Sequence, residues 1–501
     1  MDAALEKRLK RQVIGKPHLF LAVVPLGFEQ TLAEELTSIS QESPHRHPEP
    51  QGEGSSHESI SFHVIGDGKI EFTAKITDAW KAVAYTRIAN RVLMHIADFK
   101  AENFRELEKK AAEIPWELYL PSGPVNPDTV AIHVTCKHSR LYHSDAVAER
   151  LYNIIGESLH NCHSGAEGDR VQAAATSSWR PQSRHLHNCH SGAGGDRVQA
   201  DSFPQKIFVT LIDDRCTLWL DLAGEELYKR GHERHVNDAP LKETIAAGML
   251  HEILRLRATP SAQDDTRLVA APITLIDPMA GSGTFSLEAA YRASGLIPGV
   301  CRDFALKHQP AFKPATWNFI VNSEATASIA SPIRKILTSD VSERAVEIIR
   351  HNVECSPLAQ AASKATQGEN APAIAPAITP MVKDFFSYTA EEIADACPAG
   401  TQPAIVLNPP YGKRLDCDAP ELYTQIGRKL SELSRSLKAM GKPLAVAILS
   451  PRDDTRNGAR FTCTANLLRE CPMLDPAQNP QARSIVTSHG GLTLNALFAT
   501  L

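Results

Sequence analysis

Asn408-Pro409-Pro410-Tyr411 sets an amide oxygen, proline-held carbonyls and a phenol ring side by side. Pro409 and Pro410 carry no backbone N–H, so no sheet ladder runs through them. Asn408 precedes a proline and is driven toward an extended conformation. A stiff group of acceptors beside an aromatic ring suits a flat, amine-bearing molecule. A second stretch, Asp277-Pro278-Met279-Ala280-Gly281-Ser282-Gly283-Thr284, is built to hold a ligand. Gly281 and Gly283 permit a tight turn and close approach. The helix start behind them favours negative charge. Ser286 stands where a dinucleotide fingerprint has its third glycine, which favours a small nucleoside with a carboxylate over a pyrophosphate. Asp340 follows Leu337-Thr338-Ser339 and can accept from ribose hydroxyls. Asp384 follows Met381-Val382-Lys383 and can accept from an adenine amino group. Each acid alone reads as a cap or turn residue; three at strand ends read as a ligand site.

Such residues need a sheet to carry them. Ala404–Leu407, Ile273–Ile276 and Leu444–Leu449 are short apolar runs that read as strands buried on both faces. Ile336–Leu337 and Met381–Val382 read as further strands. Leu241–Leu256, Thr284–Arg292, Ala345–Val353 and Leu422–Leu437 have helical periodicity. Strands alternating with helices indicate an α/β fold around a parallel sheet, with ligands at the carboxyl ends of its strands. Phe461–Leu468 and Leu492–Leu501 are expected to close that sheet as an antiparallel pair. Residues 357–379, rich in Ala and Pro, read as a surface excursion.

The N-terminal half reads as α+β. Residues 1–16 look like a charged leader. Leu19–Val24, Ile70–Thr73 and Thr129–Cys136 read as strands, and Ile207–Ile212 with Thr217–Leu222 as a hairpin. Phe28–Thr37, Ala79–Thr86, Phe104–Ala112 and Asp145–Leu159 read as helices; residues 39–58 read as a loop. Lys137, His138, Arg140 and His143 form a local basic group that can meet phosphates; an ordinary polar loop explains them equally well. Residues 159–173 recur at 186–200 with one change, Glu167 against Gly194. The copies place His160, Cys162, His163, His187, Cys189 and His190 within two short stretches. They read as a duplicated surface insertion, and no metal is expected.

With 501 residues the chain exceeds one ordinary core. Its 43% hydrophobic and 22% charged residues describe a globular protein, and its net charge of −5 gives no global attraction to nucleic acid. Ten scattered cysteines without a CxxC pair fit reduced thiols in a cytoplasmic setting. Leu19–Phe28 is broken by Pro25 and Gly27 and lacks a signal-peptide cleavage site. No run is long enough to span a bilayer, so no membrane partner is expected.

On these residues the C-terminal half resembles class I S-adenosylmethionine-dependent methyltransferases with a Rossmann-like sheet. Asn408 to Leu415 resembles the catalytic motif of the RNA guanine-N2 branch. The whole chain resembles the large-subunit rRNA guanine-N2 methyltransferase family, which carries an N-terminal THUMP RNA-binding domain. Leu227 to Gly231, Ala239 to Thr244, Asp277 to Ala290, Ile297-Pro298-Gly299 and the region of Phe312 and Trp317 support the likeness. The loop at 39–58 and the repeat at 160–200 depart from it. Some relatives carry a second methyltransferase domain, which is not expected here. The implied division is 1–17 leader, 18–226 THUMP-containing region with an insertion at 160–200, and 227–501 methyltransferase domain.

Carried over residue by residue, the likeness implies that Asp277, Met279, Gly281 and Gly283 line the cofactor, S-adenosylmethionine. Asp340 would hold its ribose and Asp384 its adenine. Asn408, Pro409, Pro410 and Tyr411 would be catalytic, with Lys137, Arg140, Lys413 and Arg414 on RNA. The Asn408 side-chain oxygen and a carbonyl such as that of Pro409 can accept both N–H bonds of a guanine amine. Tyr411 can stack on the base. The proton leaves after transfer, so no strong base is needed. A base within RNA must unstack or flip to reach the pocket. The same motif serves adenine-N6 and glutamine-amide methylation. Large-subunit rRNA is the expected substrate, with tRNA, adenine N6 and a non-catalytic RNA-binding protein as alternatives. The intact turn, acids and Asn408–Tyr411 argue against the last.

Overall fold

The computed structural model describes residues 3–41, 60–161, 204–237, 240–260, 268–322, 331–359, 376–411, 418–453 and 462–501. The loop expected at 39–58, the duplicated segment after Asn161, most of the 357–379 excursion, and Lys413 and Arg414 lie outside those residues.

Two seven-stranded sheets organise the chain. The first is formed by β1 (Pro17–Val23), β2 (Phe62–Gly66), β3 (Lys69–Lys75), β4 (Arg91–Lys100), β5 (Val130–Lys137), β6 (Gln205–Ile212) and β7 (Arg215–Asp221). They run β2-β3-β1-β4-β7-β6-β5, and only the β5–β6 pair is parallel. Alternation puts Phe20, Ala22, Phe72 and Val92 into the core, where helices Glu29–Gln41 and Ile76–Tyr85 cover them. A short two-stranded sheet, β8 (Ala258–Pro260) with β9 (Leu268–Ala270), links to the second half.

The second sheet holds β10 (Ile273–Asp277), β11 (Ile333–Asp340), β12 (Pro380–Val382), β13 (Gln402–Leu407), β14 (Ala445–Pro451), β15 (Arg483–His489) and β16 (Leu492–Thr500). Its order is β12-β11-β10-β13-β14-β16-β15. Every residue of β10 and β14 is buried, as a strand covered on both faces requires. Strands β12 to β14 run parallel; β16 is antiparallel to β14. The chain winds outward from β10 to β12, then returns to place β13 on the other side of β10. That reversal opens a crevice beyond the carboxyl ends of β10 and β13.

The halves share one hydrophobic core. Polar contacts fix their seam: Thr31 Oγ1 donates to Glu252 at 2.7 Å, Tyr85 Oη to the Ile320 carbonyl at 2.6 Å, and the buried Arg230 guanidinium, held by Glu288, to the Arg87 carbonyl at 2.8 Å.

Three expectations change. The opening residues, read as a charged leader, are built into the fold: Ala3–Leu9 and Lys10–Ile14 are helical, and Leu9 and Val13 are buried. Cys463–Glu470 is a helix rather than a strand, because its buried residues, Cys463, Thr464 and Leu467, recur at helical spacing. The partner of β16 is instead β15, joined through Gly490 and Gly491, both at positive φ.

Candidate active site

Strand β10 ends at Asp277, and the chain turns through Gly281 at φ +55° and Gly283 at φ +79° into helix Thr284–Ala293. The turn is held by its neighbours. Ala280 N–H donates to the Ser339 carbonyl at 3.1 Å, and Gly281 N–H to Asp340 Oδ2 at 2.9 Å. The other Asp340 oxygen accepts Ser342 N–H at 2.9 Å. Each oxygen keeps lone-pair capacity for a hydroxyl. Asp384 follows β12 and caps the next turn, its Oδ1 accepting Phe386 N–H at 3.0 Å.

The register Leu275↔Ala404 and Ile276↔Ile405 puts the ends of β10 and β13 side by side. Asn408 through Tyr411 therefore emerges beside the glycine turn. Both corners open on one cavity of about 450 Å³. Its walls include Met279, Gly281, Asp340, Asp384, Asn408, Pro409, Pro410 and Tyr411, all expected from sequence.

Asp277 and Gly283 stand behind the wall instead. Asp277 is buried, and its Oδ2 accepts Ser286 N–H at 3.2 Å and Ser286 Oγ at 2.8 Å, stapling the helix start to the strand end. Its Oδ1 is buried without a hydrogen-bond partner among the described residues, and burial pushes the carboxyl up to about 7. A Cβ on Gly283 would lie 3.1 Å from two Ile349 carbons, so this glycine serves packing. A Cβ on Gly281 would meet only Asn237 Nδ2, at 4.0 Å, because that face looks into the cavity.

Asn408 Oδ1 is also buried without a partner among the described residues. An unmade hydrogen bond of this kind costs about 1–3 kcal/mol, and the cavity is where a donor can supply it. Tyr411 is half-buried, and burial pushes its hydroxyl up to about 12. It stays a neutral phenol at ordinary pH, suited to stacking and unsuited to taking a proton.

Sequence reading missed several wall residues. Val341 and Phe385 directly follow the acids Asp340 and Asp384 and offer apolar surface to a flat ring. Val341 is 70% exposed, unusual for valine. An apolar residue just after a strand-end acid was the available signal. Asn237, Arg344 and Leu422 add further wall. Arg234 braces the turn, donating to Ser282 Oγ at 3.3 Å and Thr284 Oγ1 at 2.5 Å while pairing with Glu243.

Of the residues expected to meet RNA, Lys137 and Arg140 do not line this cavity. Lys137 ends β5 on the first sheet and is exposed. Arg140 pairs with Glu102 and, at 3.7 Å, with Asp214, so two carboxylates already balance its charge. No helix among the described residues is long and apolar enough to cross a membrane. Cys136, Cys216, Cys301, Cys355, Cys397 and Cys471 carry free thiols.

The cavity fits a nucleoside with an attached amino acid. Carboxylates at two strand ends can take hydroxyls and an amine, Gly281 leaves room for close approach, and apolar side chains flank the acids.

Comparison with known proteins places this geometry. Residues 230–367 match the family described as RMKL-like, methyltransferase domain (UPF0020). A protein of Shewanella oneidensis named ribosomal RNA large subunit methyltransferase K/L is 26% identical over 420 residues, 82% of this chain and 46% of its own length. The chain spans about half the length of the K/L relatives it matches. Among solved structures, a "possible methylase" of Clostridium difficile 630 is 22% identical with a TM-score of 0.63, over 97% of this chain and 98% of the other. SMU.472, solved in complex with SAH, is 21% identical with a TM-score of 0.63, over the same shares.

Proposed function

We propose that the chain, whose residues 230–367 match the RMKL-like methyltransferase domain, is an S-adenosylmethionine-dependent RNA methyltransferase acting on the exocyclic N2 amine of a guanine in large-subunit rRNA. The observation that carries the reading is Asn408 Oδ1, buried without a partner among the described residues and on the same cavity as the Gly281 turn. Met279, Gly281, Asp340 and Asp384 would hold the cofactor, with Asp277 and Gly283 fixing the turn from behind. Bound there, S-adenosylmethionine supplies a methyl group on a positively charged sulfur.

The chain's own residues do the rest. A guanine N2 amine is a weak nucleophile because its lone pair is drawn into the ring. Asn408 Oδ1 accepts one of its N–H bonds, and the Pro409 carbonyl the other. Both acceptors are fixed before the base arrives, so they stabilise positive charge on nitrogen without reorganising. Pro409 and Pro410 make the corner stiff enough to aim the amine. Tyr411 covers the base face and keeps its own proton. The amine proton leaves to solvent after transfer, when nitrogen has become strongly acidic. Phosphate contacts from Lys413, Arg414, Lys137 and Arg140 would orient the RNA, with residues 18–226 as the THUMP-type RNA-binding part and 227–501 as the catalytic part.

The test is incubation with radiolabelled S-adenosylmethionine and rRNA from cells lacking the protein, followed by nucleoside analysis. N2-methylguanosine in the large-subunit fraction is the expected product. N6-methyladenosine, or label in tRNA alone, would replace the acceptor assignment; no label in any RNA would remove the enzyme reading.

A further inference from the structure

A cluster of ligating side chains that methyl transfer does not use sits behind the glycine turn. Glu233 and His235 lie on the segment leading to helix Glu243–Arg255; His351 belongs to helix Glu343–Glu354, and Cys355 caps it. The spacing of His351 and Cys355 puts both on one helix face. The imidazoles of His235 and His351 stack with centroids 3.8 Å apart and 12° between planes. Glu233 Oε1 lies 3.6 Å from His235 Nε2 and 4.0 Å from His351 Nε2. Cys355 Sγ lies 3.5 Å from His351 Nε2. One ligand atom from each of Glu233, His235 and His351 falls within 4.8 Å of the others.

We propose that Glu233, His235, His351 and Cys355 bind one divalent transition-metal ion of the zinc type. A tetrahedral ion with bonds of about 2.0–2.3 Å spaces its ligand atoms roughly 3.3–3.7 Å apart, a spacing the Glu233, His235 and His351 atoms approach, and Cys355 would join them from its place 3.5 Å from His351 Nε2. A single proton on His351 Nε2 can serve only one of its two neighbours, the Glu233 carboxylate or the Cys355 sulfur; a cation serves both. Two imidazoles and a thiol select zinc or cobalt over calcium or magnesium. Binding releases the Cys355 thiol proton to solvent and forms the metal–thiolate bond.

The site is coupled to the cavity through one side chain. The buried Asn352 accepts His235 N–H at 2.8 Å and donates to the His235 carbonyl at 2.9 Å and the Ser282 carbonyl at 3.0 Å. Two residues beyond His235, Asn237 lines the cavity. A metal joining His235 to His351 therefore clamps the 233–237 segment against the helix that supports the turn.

The test uses the full chain, stripped with chelator and titrated with Zn²⁺ and with Co²⁺ in a competition assay. The expected result is one equivalent that His235→Ala/His351→Ala loses or binds more than about tenfold more weakly. Cys355→Ser should abolish the thiolate-to-cobalt charge-transfer band. Because 159–200 holds its own His and Cys, Cys162→Ser/Cys189→Ser is the control and should keep the equivalent. No metal uptake, uptake unchanged in the double histidine variant, a cobalt band that survives Cys355→Ser, or loss in the control would each overturn the site. Metal stoichiometry is read without RNA or methyl donor, so the result does not depend on the proposed transfer reaction.

Discussion

Two corners leave the second sheet from adjacent strands, and they are built from opposite materials. After β10 the chain turns on glycines at positive φ and enters a helix. After β13 it turns on prolines that offer no N–H. The glycine corner is tied into its surroundings through Gly281, Asp340, Ser286 and Asp277. The proline corner leaves Asn408 Oδ1 buried and without a partner among the described residues. Each corner contains one orphan oxygen, but the two are not equivalent. Asp277 can relieve its deficit by taking a proton, and its carboxyl is pushed up to about 7. An amide oxygen has no such escape, so the deficit at Asn408 lasts until a donor enters the cavity. A binding corner satisfied in advance and a reactive corner left open is what the proposed transfer requires.

The largest effect that tests this contrast is at Asn408. Asn408→Ala should lower turnover about 10²–10³-fold, the loss expected when one preorganised dipole is removed. Affinity for S-adenosylmethionine, by calorimetry, should stay within about threefold of wild type, because only the reactive corner is altered. Equal losses in turnover and cofactor affinity would erase the distinction between the corners.

Asp277 gives the next effect, in pH dependence. Its folded pKa is raised from 3.8 to about 7. Between those values the folded chain holds a proton that the unfolded chain has released, so stability falls as pH rises through this window. The contribution is complete below about pH 4 and lost above about pH 7. Asp277→Asn cannot ionise, so its stability from urea unfolding should depend less on pH, ending above wild type at pH 8 by an amount on the order of 4 kcal/mol. Parallel curves for the two proteins would mean that Asp277 does not carry the buried proton.

The sequence exposed these corners because of the strands that feed them. A parallel strand covered on both faces is a continuous apolar run, so Ile273–Ile276 and Ala404–Leu407 stand out, and the polar residues that end them are located at once. The first sheet is less legible: β4 mixes buried Val92, Leu93 and Met94 with half-exposed positions, and no periodicity separates it from a helix. β15, half-exposed on the sheet edge, has only the alternation of Arg483–His489 and the Gly490-Gly491 turn to announce it. For Val341 and Phe385 the one signal is their place just after a strand-end acid, since the apolar side chain by itself does not tell a cavity wall from a core. Glu233, His235, His351 and Cys355 come from segments far apart in sequence and meet only through the packing around Asn352.

The smallest effects separate the two glycines of one turn. Both sit at positive φ, so alanine at either costs about 1 kcal/mol in backbone strain. The consequences then diverge, because Gly281 faces the cavity and Gly283 faces Ile349. Gly281→Ala adds a methyl group on the wall of the proposed cofactor cavity, and should weaken S-adenosylmethionine binding about tenfold, or 1.4 kcal/mol, with no stability loss beyond the strain. Gly283→Ala forces its Cβ against two Ile349 carbons and should cost roughly a further 1 kcal/mol of stability from overpacking, while cofactor affinity changes less than threefold. Denaturant midpoints and calorimetric Kd values for both variants decide the matter. A reversed pattern, with Gly283→Ala hurting affinity more than Gly281→Ala, would put the ligand behind the turn rather than before it.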